Sequence, residues 1–197
     1  MPADPADLRR ALNAIAIRQA GYFTARQARQ VGYSYQSQKY HVDHGNWTRI
    51  GRGLFRLPDW PVADNDMYVQ VRLWSRGRAV LSHESALALH DLGDVNPPMI
   101  HLTVPPGFRS RDPAVVLHRA VLSAGDVEDR ADIPVTTVER TLLDVAAGDL
   151  NQEQLDTAVS EALEHGLISP RRIRARSDDH GDRAALRIER ALGAVHR

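Results

Sequence analysis

The chain has 197 residues, 43% of them hydrophobic and 25% charged, with 25 basic side chains balancing 25 acidic ones and no cysteine. That is the make-up of a soluble globular chain long enough for a small domain and a medium one. It excludes a disulfide framework, a thiolate metal site and, with no run of ~20 apolar residues, a membrane span.

The opening Met-Pro-Ala-Asp-Pro-Ala-Asp lacks the basic region and apolar core of a secretion signal, so a cytoplasmic location is expected. Residues 6–19 read as a first helix, with Leu8, Leu12, Ile15 and Gln19 at helical spacing, closed by Gly21. Thr24 suits the N-cap of a second helix that Gly32 terminates, and Ser34 suits the N-cap of a third that Gly45 stops. A turn of about three residues then joins the second and third helices. Short extended runs follow, Trp47–Ile50 and Leu54–Leu57, around Gly51-Arg52-Gly53, where two glycines favour a hairpin. Trp47, Ile50, Phe55 and Leu57 are expected to close a small core, with Arg49, Arg52 and Arg56 mostly outside. This succession predicts a winged helix-turn-helix in residues 1–60, ended by Pro58-Asp-Trp-Pro61.

Residues 61–197 read as a second domain of mixed α and β character, which makes the whole α+β. Helices are expected over Asp66–Ser75, over Glu84–Leu92 capped by Ser82, from the capping-box spacing Thr136-Thr-Val-Glu139 to Ala147, over Gln152–His165, briefly from Ser169-Pro170, and over Arg183–Val195. Strands are expected at Ala79–Leu81, Met99–Val104, Val115–Leu122 and Ile133–Val135. In the second of these, Ile100, Leu102 and Val104 should face inward, with His101 and Thr103 outward. The polar stretch Arg171–Gly181 reads as a loop.

Charge supports a division of labour. Residues 1–60 hold 9 basic and 4 acidic groups, residues 61–170 hold 8 and 17, and residues 171–197 hold 8 and 4. Basic modules suit polyanions. In the third helix Tyr35, Gln36, Ser37, Lys39 and Tyr40, with Ser34 at its start, can reach base edges or phosphates; glutamine can bond bidentately to adenine. Arg52 at the hairpin tip can enter a minor groove, with Thr24, Arg26 and Arg49 as neighbouring contacts.

Enzymatic signatures are missing. There is no GxxxxGK[ST], kinase loop or HExxH, and the carboxylates are scattered rather than clustered for metals. His83, His90, His101 and His118 read as structural histidines, since His83 and His90 are two helical turns apart and cannot share an ion. Thr136, Thr137, Glu139, Arg140 and Asp144 read first as a buried structural network and second as a partner-recognition site. No catalytic residue, metal or cofactor is expected.

The order of these pieces, Gly53-Leu-Phe-Arg-Leu, Ala79-Val-Leu-Ser-His-Glu-Ser-Ala-Leu-Ala-Leu-His, Ile100-His-Leu-Thr-Val-Pro and Ile133-Pro-Val-Thr-Thr-Val-Glu-Arg-Thr-Leu-Leu-Asp-Val-Ala, resembles the AbiEi-type antitoxins of type IV toxin–antitoxin systems over residues 6 to 165. The resemblance implies a bacterial autorepressor that binds double-stranded operator repeats through Ser34–Tyr40 and the Arg49–Arg52 wing. It further implies that the C-terminal domain counters a nucleotidyltransferase toxin; a stand-alone regulator without a toxin is the alternative. Gln38 and His41 depart from the pattern, standing where such a helix usually buries aliphatic side chains.

Overall fold

The computed structural model describes residues 4–63, 66–109, 112–130 and 133–195. They form two units, Met1–Gly77 and Arg78–Arg197.

In the first unit, α1 (Pro5–Ile17) starts where the Asp4 carboxylate accepts the Ala6 N–H at 2.9 Å and proline sits in the first turn, where its missing N–H costs nothing. A strand that the sequence reading did not foresee, β1 (Tyr22–Thr24), precedes α2 (Ala25–Val31) and α3 (Tyr35–Asp43). Three residues are too few for alternation to be legible. The hairpin strands β2 (Thr48–Gly51) and β3 (Leu54–Arg56) complete an antiparallel sheet ordered β1-β3-β2. Leu12, Ala16, Phe23, Ala28, Tyr33, Trp47 and Phe55 form the core beneath it. This order of helices and strands is compatible with a winged helix-turn-helix.

Two expectations fail in the hairpin. The register shifts between Arg49 and Gly51, leaving Ile50 opposite no partner and exposed rather than in the core. Arg56 turns inward instead of outward. Its guanidinium lies 2.8 Å from Asp66 and over the Tyr22 ring, with Asp66 buried and the Arg56 side chain only 12% exposed.

Asp66 belongs to α4 (Asp66–Ser75), and Tyr22 donates its phenolic proton to it at 3.2 Å. The sequence reading divides the chain at residue 60, whereas the first unit continues through α4 to Gly77. The reason is this side-chain cluster, whose members lie 44 positions apart in sequence. Gly21, at φ +80°, makes a close approach here: a Cβ at that position would collide with the Trp60 indole.

The second unit holds β4 (Val80–Leu81), α5 (His83–His90), β5 (Ile100–Val104), β6 (Val115–Arg119), β7 (Val127–Arg130) and β8 (Ile133–Thr136), then α6 (Val138–Ala147), α7 (Gln152–Glu164), α8 (Pro170–Ser177) and α9 (Asp182–Ala194). Its sheet is mixed, ordered β6-β5-β4-β8-β7, with β5/β6 and β4/β8 parallel. Leu142, Leu143, Leu155, Ile173, Ile188 and Leu192 lead the core among its helices.

Four readings need correction. Thr103 is buried, because its hydroxyl donates to Ser82 at 2.8 Å. That bond occupies Ser82, whose side chain does not cap α5. The cap of α6 falls one residue later than the capping-box spacing suggested: Thr137 accepts the Arg140 N–H, while the Thr136 hydroxyl bonds Thr141 at 2.7 Å. Residues 170–177 are helical rather than looped, with Ile173 and Ser177 buried. Strand β7 was also missed, because Val-Glu-Asp-Arg carries the charges that protect a sheet edge.

Candidate nucleic-acid interface

The surface presented by α3 is held by local bonds. Gly32 closes α2 at φ 125°, a conformation open to glycine, and Tyr33 and Ser34 complete a three-residue turn. The Ser34 hydroxyl accepts the Ser37 N–H at 3.0 Å. Such a cap stabilises a helix by about 1 kcal/mol, which matters in a helix this short. Thr24 caps α2 reciprocally: Gln27 N–H donates to its hydroxyl and Thr24 N–H donates to the Gln27 amide oxygen. With its hydroxyl engaged there, Thr24 acts on the geometry of α2 rather than as an open donor.

The two residues that departed from the aliphatic pattern are accommodated. Gln38 is buried, but its amide donates to the carbonyls of Ala25 and Tyr33, both at 3.1 Å, so it ties α3 to α2 and to the turn. His41 stacks on Trp47 at 4.8 Å and meets Tyr33 edge-on. Burial lowers its pKa, favouring the neutral ring.

What remains outward is polar and aromatic. Tyr35 is 65% exposed and Tyr40 54%. Gln36 and Lys39 are exposed and Ser37 half-buried. Tyr35 lies beneath the Arg29 guanidinium at 4.7 Å, and Tyr40 stacks on His44 at 3.9 Å. Lys39 is paired with Asp43 at 2.5 Å, so the only lysine and the only acid of α3 offset one another. Among the described residues, unpaired positive charge sits on the neighbouring elements instead. Arg26 and Arg29 are exposed on α2, Arg52 is exposed in the two-residue turn with Gly53 (φ +71°), and Arg49 is exposed with its guanidinium over Phe55 at 5.7 Å. The structure therefore brings Arg26, Ser34, Tyr35, Gln36, Ser37, Lys39, Tyr40, Arg49 and Arg52 to the surface of one unit, and adds exposed Arg29 over Tyr35, which the sequence reading passed over. Its spacing six residues before Tyr35, across a tight turn, was the available signal.

The second unit uses arginine differently. Arg140 contacts Asp144 at 2.9 Å and Asp126 at 3.3 Å, while Arg176 reaches Asp126 at 2.5 Å and Glu139 at 2.8 Å. The expected buried network thus exists, enlarged by Asp126 and Arg176. Hydrogen bonds from Ser123 and Arg176, with the nearby charge of Arg140, outweigh burial and hold the Asp126 carboxyl down to about 2. At Asp144 burial prevails and raises the pKa. A cavity of about 420 Å³ adjoins this network, but Arg172 and Arg176 on its wall already meet Glu139, and Arg130 is bonded to His90 Nδ1 and the Leu89 carbonyl.

Three of the four histidines singled out in the sequence do meet. His83 stacks on His118 at 3.4 Å, and His101 Nδ1 lies 3.2 Å from His118 Nε2 and 2.6 Å from Glu84. His90 stands apart, bonded through Nε2 to the Thr136 carbonyl at 2.8 Å. Burial pushes His83 down to about 3 and lowers His118 and His90. Among the described residues no group of His, Asp and Glu has the geometry to hold a metal ion, and no helix is long and apolar enough to cross a membrane.

Residues 10–58, which span most of α1 and run through β3, match the family model described as "Transcriptional regulator, AbiEi antitoxin", so the resemblance read in the sequence holds over that stretch. The chain is also similar to the crystal structure of the RV2827C protein from Mycobacterium tuberculosis, with a TM-score of 0.61 and 17% identity over 100% of this chain and 84% of that one. That likeness concerns the fold. No curated protein matches the chain.

Proposed function

We propose, proceeding from the AbiEi likeness, that this chain is a transcriptional regulator whose first unit is a winged helix-turn-helix that binds operator DNA. In this reading α3 enters the major groove, and the β2–β3 hairpin is a wing whose Arg49 and Arg52 grip phosphates or a narrow minor groove beside it. The observation that carries it is a division of chemistry within one unit: a capped helix presenting mostly neutral hydrogen-bonding side chains, with exposed guanidinium groups on α2, whose Arg29 covers Tyr35, and on the β2–β3 hairpin. Phosphate contacts position a protein on the duplex and base contacts specify the site. Here the first task falls to Arg26, Arg29, Arg49 and Arg52, and the second to residues 35–40.

The expected binding is salt-dependent. Four phosphate contacts give a slope of log affinity on log salt of about −3.6. Full-length protein titrated by fluorescence anisotropy onto duplex from its own promoter region, at several salt concentrations, tests this. Specific binding with a slope of that order supports the assignment, and a slope near zero overturns it.

Repression of its own operon is assigned to the first unit, and the antitoxin role to the second, with a nucleotidyltransferase-like toxin as partner. Co-expression of the full chain with the adjacent reading frame tests it: rescue of growth supports the role, and unrelieved toxicity counts against it. The family match lies within the first unit, at residues 10–58, and a second reading keeps that unit's role alone: a stand-alone regulator without a toxin. The protein needs no catalytic group, metal or cofactor for either role, and acts in the cytoplasm.

A further inference from the structure

We infer that Gln36 is the base-reading residue of α3, selecting an adenine at one fixed position of the binding site; the inference rests on the DNA-binding reading above. Few side chains of the helix still have a paired hydrogen-bond donor and acceptor to offer. Ser34 is spent on the helix cap and Gln38 on two buried carbonyls. Lys39 is matched by Asp43, which would also repel phosphate oxygens on approach. The rings of Tyr35 and Tyr40 lie against Arg29 and His44, so each offers a single phenolic hydroxyl rather than a paired donor and acceptor, and His41 is stacked on Trp47. Ser37 is half-buried and carries a single hydroxyl. Gln36 is exposed, lies in the first turn of α3, and makes no side-chain hydrogen bond, ion pair or ring contact among the described residues.

The first turn is the part of such a helix that reaches base edges. A free carboxamide there offers a donor and an acceptor side by side, the pattern that complements adenine N7 and N6 in the major groove. The neutrality of α3 reinforces this. Without a net cation on its exposed face, the helix has little pull of its own towards phosphates and gains affinity chiefly where hydrogen bonds are matched. The two exposed tyrosines on either side offer apolar ring edges suited to thymine methyl groups rather than a second bidentate pattern.

The test is selection of sites from a randomised duplex library with the full-length protein, its Gln36→Ala variant and its Gln36→Glu variant, each checked by circular dichroism for an unchanged helix content. Wild type is expected to enrich a motif containing an invariant adenine. Gln36→Ala should keep the remainder of the motif and lose preference at that one position, a discrimination of roughly tenfold to a hundredfold. Gln36→Glu, which can only accept, should move the preference there towards cytosine. A wild type that enriches nothing sinks the DNA-binding reading itself. Enrichment of the same motif by wild type and Gln36→Ala, adenine included, overturns the role of Gln36 alone, as does a correctly folded Gln36→Ala variant that loses the whole motif.

Discussion

Arginine serves opposite ends in the two units. In Met1–Gly77, Arg26, Arg49 and Arg52 lie at the surface with no carboxylate in contact among the described residues. In Arg78–Arg197, Arg140 is 88% enclosed and Arg176 two-thirds enclosed, both facing Asp126 with Glu139 or Asp144 beside it. The residue type is the same; the partner decides the role. A guanidinium whose countercharge is absent is available to a polyanion, whereas one that already satisfies buried carboxylates is part of the structure and would have to abandon them to bind anything else. Arg56 shows the distinction within one hairpin, for it is paired with buried Asp66 while Arg49 and Arg52 of the same hairpin are open.

The sharpest way to break this contrast is to remove a buried guanidinium. Arg140→Ala leaves Asp126 and Asp144 without their shared cation in an enclosed setting, and should cost about 3–5 kcal/mol of stability, read by urea unfolding. A loss under about 1 kcal/mol would mean that this network is as dispensable as a surface pair.

Acid sharpens it next. For the buried histidines the folded pKa is lowered below the ordinary 6.5, so below that pH the unfolded chain binds more protons and stability falls. For His83 the loss runs from pH 6.5 down to about 3, at about 1.4 kcal/mol per pH unit, or about 2 kcal/mol by pH 5. Asp126, held at about 2, adds a loss below its ordinary 3.8; Asp144, with its pKa raised, contributes in the opposite sense. The first unit has one histidine with a lowered pKa, His41, so acid should unfold the second unit first. Tryptophan fluorescence, with Trp47 reporting on the first unit's core, and far-UV dichroism followed together from pH 7 to 4 check this. Coincident loss of both signals would contradict the distinction.

The smallest expected effects lie on the exposed side. Arg52→Ala should reduce DNA affinity by about tenfold at low salt and make the salt slope shallower by about 0.9, uniformly across sequences, without altering stability by more than about 0.5 kcal/mol. Asp43→Asn should raise affinity a few-fold by freeing Lys39 and removing a negative charge from α3. Unchanged affinity in both variants would place the DNA contact elsewhere.

Much of the first unit was legible because its signals are local. The Thr24 and Ser34 caps, the glycine at φ 125° and the Arg52-Gly53 turn each depend on a few adjacent residues, and α2, α3 and the hairpin fall where those residues require. Most helices of the second unit were legible for the same reason, from hydrophobic spacing, as was the start of α8 from Ser169 and Pro170, though not its continuation to Ser177. What the linear order withheld were contacts made across distance. Nothing near Arg56 announces Asp66, nothing near Asp126 announces Arg176, 50 positions away, and nothing near Thr103 announces Ser82. Amino-acid types in order thus determined which helices and turns form and which side chains carry hydrogen-bonding or cationic groups. Only the tertiary structure decided which of the arginines are free, because a charge is neutralised by whatever the fold sets beside it.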